Sequence, residues 1–330
     1  MKVCIYGAGA IGGWIGAALA QAGVRLNAVA RGATLTALRQ DGLTVVRKTD
    51  GGGDARTRVP VHAVDDPAAL GPQDLIVIAV KAPALAAVAA RIAPLIGPGT
   101  VVLTAMNGVP WWFLEGGFGG PLAGRRLTAV DPEGRIAEAI PAQHVIGGVV
   151  HASCSLDAPG VVRHHFGNGL ILGEPSGAAS ERVRKLAALL VQGGIQATVS
   201  PQIQKDVWYK LWGNMTVNPI SALTGATTDR IMGDELVRGF ISAVMLEAKD
   251  IGARIGVPIA ESPEDRHAVT RKLGAFKTSM LQDVEAGRPV ELDALVSVVR
   301  ELGQGCSVPT PFTDALLGLA RLQAHQRGLY

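Results

Sequence analysis

A short apolar run, Val3-Cys4-Ile5-Tyr6, leads directly into Gly7-Ala8-Gly9-Ala10-Ile11-Gly12, and an Ala-rich apolar segment continues to Ala22. A strand that ends in a glycine turn and opens a helix gathers free backbone N–H groups and the positive end of the helix dipole at one point. A pyrophosphate fits there. Gly7 permits the tight turn, Gly9 lets the backbone approach the phosphates, and Gly12 lets the helix close on the strand. The bland alternative is a tight turn before a structural helix. The strand stands at the head of an alternating series of strands and helices, which favours dinucleotide binding.

That series runs through the first two hundred residues. Arg25–Ala30 reads as a second strand and Thr34–Gln40 as a short helix. Leu43–Lys48 and Thr57–Val64 flank the glycine-rich turn Thr49-Asp50-Gly51-Gly52-Gly53-Asp54, which suggests a hairpin. Asp74–Val80 is a continuous apolar run, as expected of a parallel strand covered on both faces. Pro83–Leu95 reads as a helix and Thr100–Ala105 as the next buried strand. Residues 110–144 are irregular; Val145–Ser153, Gly160–His165 and Gly169–Gly173 look like strands, followed by a helix (Ser180–Gly193) and a strand (Ile195–Ser200). After Pro201 the pattern becomes helical, with Gln202–Leu223, Asp229–Gly256, Ser262–Ala286, Val290–Gly303 and Thr313–Gln326. The expected fold class is α/β: a Rossmann-type doubly wound sheet over 1–200, and an all-helical domain over 201–330 that carries substrate and catalysis.

Composition removes several function classes. A formal charge of +3, with cations scattered among acids, gives no basic run for nucleic acid. No stretch reaches the ~18–20 apolar residues of a membrane helix. The first strand occupies the N-terminus, leaving no room for a signal peptide, and a cytoplasmic protein is expected. Cys4, Cys154 and Cys306 lack C-x-x-C spacing, and the seven histidines show no H-x-x-x-H pattern, so neither a disulfide framework nor a metal site is expected.

The end of the second strand bears on the cofactor. NAD-selective sites place Asp or Glu about 20 residues after the glycines, to hold the ribose 2′-hydroxyl. Here the chain reads Asn27-Ala28-Val29-Ala30-Arg31-Gly32. A guanidinium can bind a 2′-phosphate through paired hydrogen bonds that a carboxylate would oppose. NADPH is therefore expected over NADH, and FAD sites, which usually carry the same acid, fit less well. Arg31 as a solvated loop residue is the alternative.

Lys81 and Asn107-Gly108 follow successive strands at their carboxyl ends, where open α/β sheets bind ligands, although either can be a plain end-of-strand residue. Lys210, Asn214 and Asn218 stand at i, i+4 and i+8 on one helix face, flanked by Trp208, Leu211, Trp212 and Met215. An interhelical hydrogen-bond ladder would use the same spacing.

These residues together resemble the ketopantoate reductase family. The matching stretches are Gly7-Ala-Gly-Ala-Ile-Gly12, Val80-Lys81, Asn107-Gly108, Trp208-Tyr-Lys210-Leu-Trp-Gly-Asn214, Asn218-Pro219, Ser279-Met-Leu-Gln-Asp283 and Glu291-Leu-Asp293, in family order from residue 1 to about 312. The resemblance implies reduction of a 2-oxo acid, ketopantoate, to a 2-hydroxy acid by NADPH, and a helical second domain. It makes Lys210 the general acid, and Glu291 its partner and a substrate hydroxyl ligand. Asn107, Asn214, Asn218 and Ser279 become substrate contacts. Gly7, Ala8, Gly9, Ala10, Ile11, Gly12, Arg31, Lys81 and Asn107 line the cofactor. Glu291 also reads as a helix-start carboxylate held by the dipole.

Trp111-Trp112-Phe113 follow Asn107 in a connection longer than that of short family members, reaching about Ala142. They either wall the site for a bulkier oxo acid or pack under a loop or at a subunit contact. A related β-hydroxyacid or imine-type dehydrogenase and a non-catalytic NADPH sensor are the competing readings. A long apolar helix such as Gly239–Gly252 packs either within its domain or against a second subunit, and homodimers are the commonest oligomer.

Overall fold

A computed structural model describes residues 1–49 and 51–330; Asp50, in the glycine-rich turn read above, lies outside the described residues. The chain divides into two compact units, Met1–Met106 with Arg135–Ile203, and Asn107–Gly134 with Gln204–Tyr330. The second long passage falls close to the boundary read at residue 200. Residues 107–134, read with the first domain, group instead with the helices.

The first unit is built on one sheet. Its strands are β1 (Lys2–Tyr6), β2 (Arg25–Val29), β3 (Leu43–Lys48), β4 (Asp54–Val59), β5 (His62–Val64), β6 (Leu75–Ile78), β7 (Val101–Thr104), β8 (Val145–Ala158), β9 (Val161–Gly173) and β10 (Gln196–Val199). The order is β4-β3-β9-β8-β7-β6-β1-β2-β5, with β10 on β9. β6, β1 and β2 are adjacent and parallel, while β3–β4 and β8–β9 are antiparallel. The helices are α1 (Ala10–Gln21), α2 (Gly32–Asp41), the single turns α3 (Leu85–Ala89) and α4 (Arg135–Ala139), and α5 (Glu181–Gln192). α1 is apolar all round because it is buried between the sheet and α5, with Trp14, Ile15 and Leu19 in the core.

Three sequence readings change here. Thr57–Val64 is two strands, since Pro60 has no N–H for a ladder and the chain leaves β3 to join β2 as β5. Pro83–Leu95 is a 3-10 turn, α3 and another 3-10 turn, because Pro83 and Pro94 each interrupt an α-helical ladder. Gly160–His165 and Gly169–Gly173 are one strand, β9, whose first half pairs with β3 and whose second half pairs with β10. Burial pushes the Cys4 and Cys154 thiols up to about 12, so both stay protonated.

The second unit contains α6 from Gln204 onward (Ile203–Thr224), α7 (Thr228–Gly233), α8 (Glu235–Arg254), α9 (Pro263–Arg271), α10 (Ser279–Glu285), a π-helical turn (Asp293–Ser297), α11 (Val298–Gly305) and α12 (Pro311–Gln326). Asp229–Gly256 breaks at Asp234, whose carboxylate caps α8 by accepting from Leu236 and Val237 N–H at 3.0 Å. Ser262–Ala286 breaks around Gly274, in the left-handed region, and Thr278 recaps α10. Buried Glu247 on α8 accepts from Phe312 N–H (2.8 Å), Thr313 N–H (2.9 Å) and Thr313 Oγ1 (2.7 Å), so α8 caps α12. Residues 107–134 are held to these helices by Glu301, which accepts from Thr128 N–H (2.7 Å) and Ala129 N–H (2.8 Å). No helix among the described residues is long and apolar enough to cross a membrane.

Candidate active site

The first unit carries a cradle. Gly7 sits at φ 101°, and a Cβ there would meet Val80 Cγ1 at 2.7 Å and the Ala79 carbonyl at 2.9 Å, so the turn is pressed against the chain leaving β6. A Cβ on Gly12 would lie 2.1 Å from the Gly7 carbonyl, which is how closely α1 rides on the turn. A Cβ on Gly9 would meet nothing within 4 Å. Open space therefore lies over the backbone at Gly9, the glycine that the sequence reading set against the phosphates. Gly9 is also the N-cap of α1, with no capping side chain and no acid in the first turn. The uncapped N–H groups and helix dipole suit a dianionic pyrophosphate. Ala8, Ala10 and Ile11 complete the turn.

Arg31 and Lys81 share that edge of the sheet, since each follows the carboxyl end of a strand flanking β1. Arg31 is exposed and extended as the N-cap residue of α2. Lys81 is exposed where β6 gives way to a 3-10 turn. No acid follows β2, but Asp65 and Asp66 follow its neighbour β5. Arg39 pairs with Asp65 at 3.7 Å and Arg91 with Asp66 at 3.6 Å. Each nearby carboxylate thus has its own guanidinium. The Tyr6 phenol is raised by burial, a shift opposed by Arg91 and Arg31.

The second unit carries the reactive polar cluster. α6 projects Lys210, Asn214 and Asn218 along one face, while Trp208 and Trp212 anchor its apolar side; Trp212 Nε1 donates to the Met245 carbonyl at 2.7 Å. Lys210 Nζ donates to Asn107 Oδ1 at 3.0 Å. As a residue Lys210 is half-buried, yet its ammonium end is enclosed, and that burial lowers its pKa to about 8 against an upward pull from the Glu291 carboxylate. Glu291 is buried just before the π-helical turn. Asn218 is buried, Asn214 half-buried, and Ser279 begins α10 behind its Thr278 cap.

One device in this cluster escaped the sequence reading. Gly108 lies at φ 82°, and a Cβ there would be 2.4 Å from the Ala294 carbonyl. The same carbonyl accepts from Val109 N–H at 2.8 Å. The π-helical turn after Glu291 therefore docks the backbone that presents Asn107, so Asn107 and Glu291 reach Lys210 through one local structure. The Asn107-Gly108 dipeptide was the only sequence signal for it.

The three aromatics of the long connection are all buried. Phe113 packs on Trp208 (centroids 6.1 Å apart) and edge-on to Phe118 at 5.7 Å. It supports the helix that carries Lys210. Among the described residues, no group of three or more His, Cys, Asp or Glu side chains could hold a metal.

A lysine with a lowered pKa, an amide on its ammonium and a buried carboxylate beside it form an acid suited to a developing alkoxide. The sequence profile for ketopantoate reductase PanE/ApbA matches residues 3–177, and that for its C-terminal region matches 202–324. The chain is 49% identical over 331 residues to 2-dehydropantoate 2-reductase of Mesorhizobium japonicum, covering 100% of both. A solved structure from Ralstonia solanacearum MolK2, assigned as a ketopantoate reductase, is similar at 60% identity and TM-score 0.93, covering 100% of this chain and 99% of that one. D-mandelate dehydrogenase, solved with NADH and anilino(oxo)acetate, shares the fold at 21% identity and TM-score 0.81, with 100% of each chain covered. The chain is an oxidoreductase belonging to the ketopantoate reductase family.

Proposed function

We propose that this protein reduces 2-dehydropantoate to pantoate with NADPH in the cytoplasm, Lys210 acting as the general acid. The observation that carries the reading is the Lys210 ammonium, lowered to about 8 and hydrogen-bonded to Asn107 Oδ1 at 3.0 Å. NADPH, when bound, supplies the hydride. The sheet unit is the dinucleotide-binding half in this reading: Gly7 to Gly12 would hold the pyrophosphate and Arg31 the 2′-phosphate, with Lys81 beside them at the same edge of the sheet. Its lone arginine after β2, with both neighbouring acids already paired, supports NADPH over NADH.

The helical unit supplies substrate contacts and the proton. Charge that develops on the ketone oxygen is stabilised by the Lys210 ammonium, which then delivers a proton, a contribution of typically ~10²–10⁴-fold. Asn107 aims that ammonium, and Glu291 keeps it charged near neutral pH and accepts from a substrate hydroxyl. Asn214, Asn218 and Ser279 hold the oxo acid. Phe113 is committed to packing, which removes one candidate wall for a bulkier oxo acid.

The test is NADPH and NADH oxidation, followed at 340 nm, with 2-dehydropantoate and bulkier 2-oxo acids in parallel. NADPH-selective turnover of 2-dehydropantoate is expected. Turnover of bulky acids alone would overturn the substrate, and tight NADPH binding with no turnover would overturn the catalytic assignment.

A further inference from the structure

α12 ends on Gly328, at φ 65°, which turns the chain back over the end of the helix. Leu329 is buried there, its N–H donating to the Ala324 carbonyl at 2.9 Å. The Leu329 carbonyl accepts from Val290 N–H at 3.1 Å, directly before Glu291. Tyr330 follows. Its ring meets His325 edge-on at 5.0 Å, and its main-chain oxygen accepts from His325 Nδ1 at 3.2 Å. The Tyr330 phenol donates to Asp293 Oδ1 at 2.5 Å and is also hydrogen-bonded to the Ser297 side chain. Asp293 and Ser297 are the first and last residues of the π-helical turn, so one phenol oxygen spans that turn from end to end. Burial and then the Asp293 carboxylate push the phenol up to about 12, so it stays protonated and keeps donating.

A π-helical turn closes i to i+5 bonds and is rare, because the α register is ordinarily preferred. Contacts from outside the helix have to hold it in place. Two such contacts meet this turn. The Ala294 carbonyl accepts from Val109 N–H at 2.8 Å, which docks the backbone carrying Asn107, and the Tyr330 phenol bridges the two ends. Glu291 is bracketed by the same segment, with Leu329 tied to the residue before it and Tyr330 to the second residue after it. Closing the turn in the α register would rotate one end against the other by about 100°, one residue's share of a 3.6-residue turn. That rotation would carry the Ala294 carbonyl away from Val109.

On the roles given above to Lys210, Asn107 and Glu291, we propose that Tyr330 is a positioning residue for the reduction. It clamps the π-helical turn, and through the turn it fixes both Glu291 and Asn107 relative to the Lys210 ammonium.

The experiment compares Tyr330→Phe with the wild type in two readouts. Hydrogen exchange in residues 107–113 and 290–299 should speed up about tenfold, the worth of one hydrogen bond to a charged group, with other segments unchanged. With 2-dehydropantoate, kcat should fall about tenfold through misplacement of Asn107 and Glu291, while the NADPH dissociation constant stays within about twofold. Asp293→Leu should reproduce both effects, and the double variant should be no worse than either single one. Asp293→Asn keeps an acceptor oxygen for the phenol and should hold kcat within about threefold of the wild type. Wild-type exchange in both segments of Tyr330→Phe would overturn the clamp, whatever the activity. Faster exchange with unaltered kcat would overturn the positioning role and leave the Lys210 assignment standing. Turnover that survives Lys210→Met would overturn the proposed acid and with it the target of the positioning, a failure that the exchange data tell apart from loss of the clamp.

Discussion

Replacing Lys210 by Met tests the burial of its ammonium through stability as well as through chemistry. The folded protein holds the Lys210 pKa at about 8, against 10.5 for an unperturbed lysine. Each pH unit is worth about 1.4 kcal/mol, so the protonated side chain opposes folding by about 3 kcal/mol near pH 7. Between pH 8 and 10.5 the unfolded chain still carries the proton that the folded one has lost. Stability of the wild type therefore rises with pH across that window and levels off above it.

Lys210→Met has no such proton. Removing the lysine also leaves Asn107 Oδ1 without this donor and Glu291 without its neighbouring cation. Comparing the two proteins across pH isolates the lysine proton from those costs. Urea unfolding of both proteins at a series of pH values should show the wild type gaining about 3 kcal/mol on the variant from pH 7 to 10.5. A flat difference, or one of opposite sign, would refute the idea that burial depresses this lysine. Turnover by the variant should fall by ~10²–10⁴-fold while NADPH still binds.

Three further outcomes follow from the same geometry. Activity that needs the protonated lysine should fall tenfold per pH unit above about 8, and Glu291→Gln, by removing the upward pull, should move that limb to lower pH in a kcat/KM profile; a shift to higher pH would contradict the pairing. Arg31→Ala should weaken NADPH by about 10–100-fold in fluorescence titration and NADH by less than about twofold, since only the 2′-phosphate loses a charge-assisted contact; equal losses would remove that role. Gly108→Ala, which forces a Cβ to 2.4 Å from the Ala294 carbonyl in a left-handed backbone, should lower kcat about 10–100-fold through Asn107 while sparing NADPH affinity; unaltered kcat would mean that Asn107 is held by other means.

Local patterns in the chain determined a large part of this protein. The glycine turn after β1, the alternation of strands and helices, and the i, i+4, i+8 face of α6 depend on neighbours in sequence, so they could be read from residue type and spacing. Pro60 and Pro94 break the strand and the helix that the sequence reading carried through them, and where the chain goes after Pro60 depends on which strand offers a free edge. Tertiary structure alone decided the rest. The meeting of Asn107 with Lys210, 103 residues apart, and the docking of Gly108 on a π-helical turn are packing outcomes whose only local sign is the Asn107-Gly108 dipeptide. Thr313–Gln326 read simply as a helix. Only the three-dimensional fold shows which of its two apolar faces is covered, because burial is set by what packs against a helix and not by the helix itself.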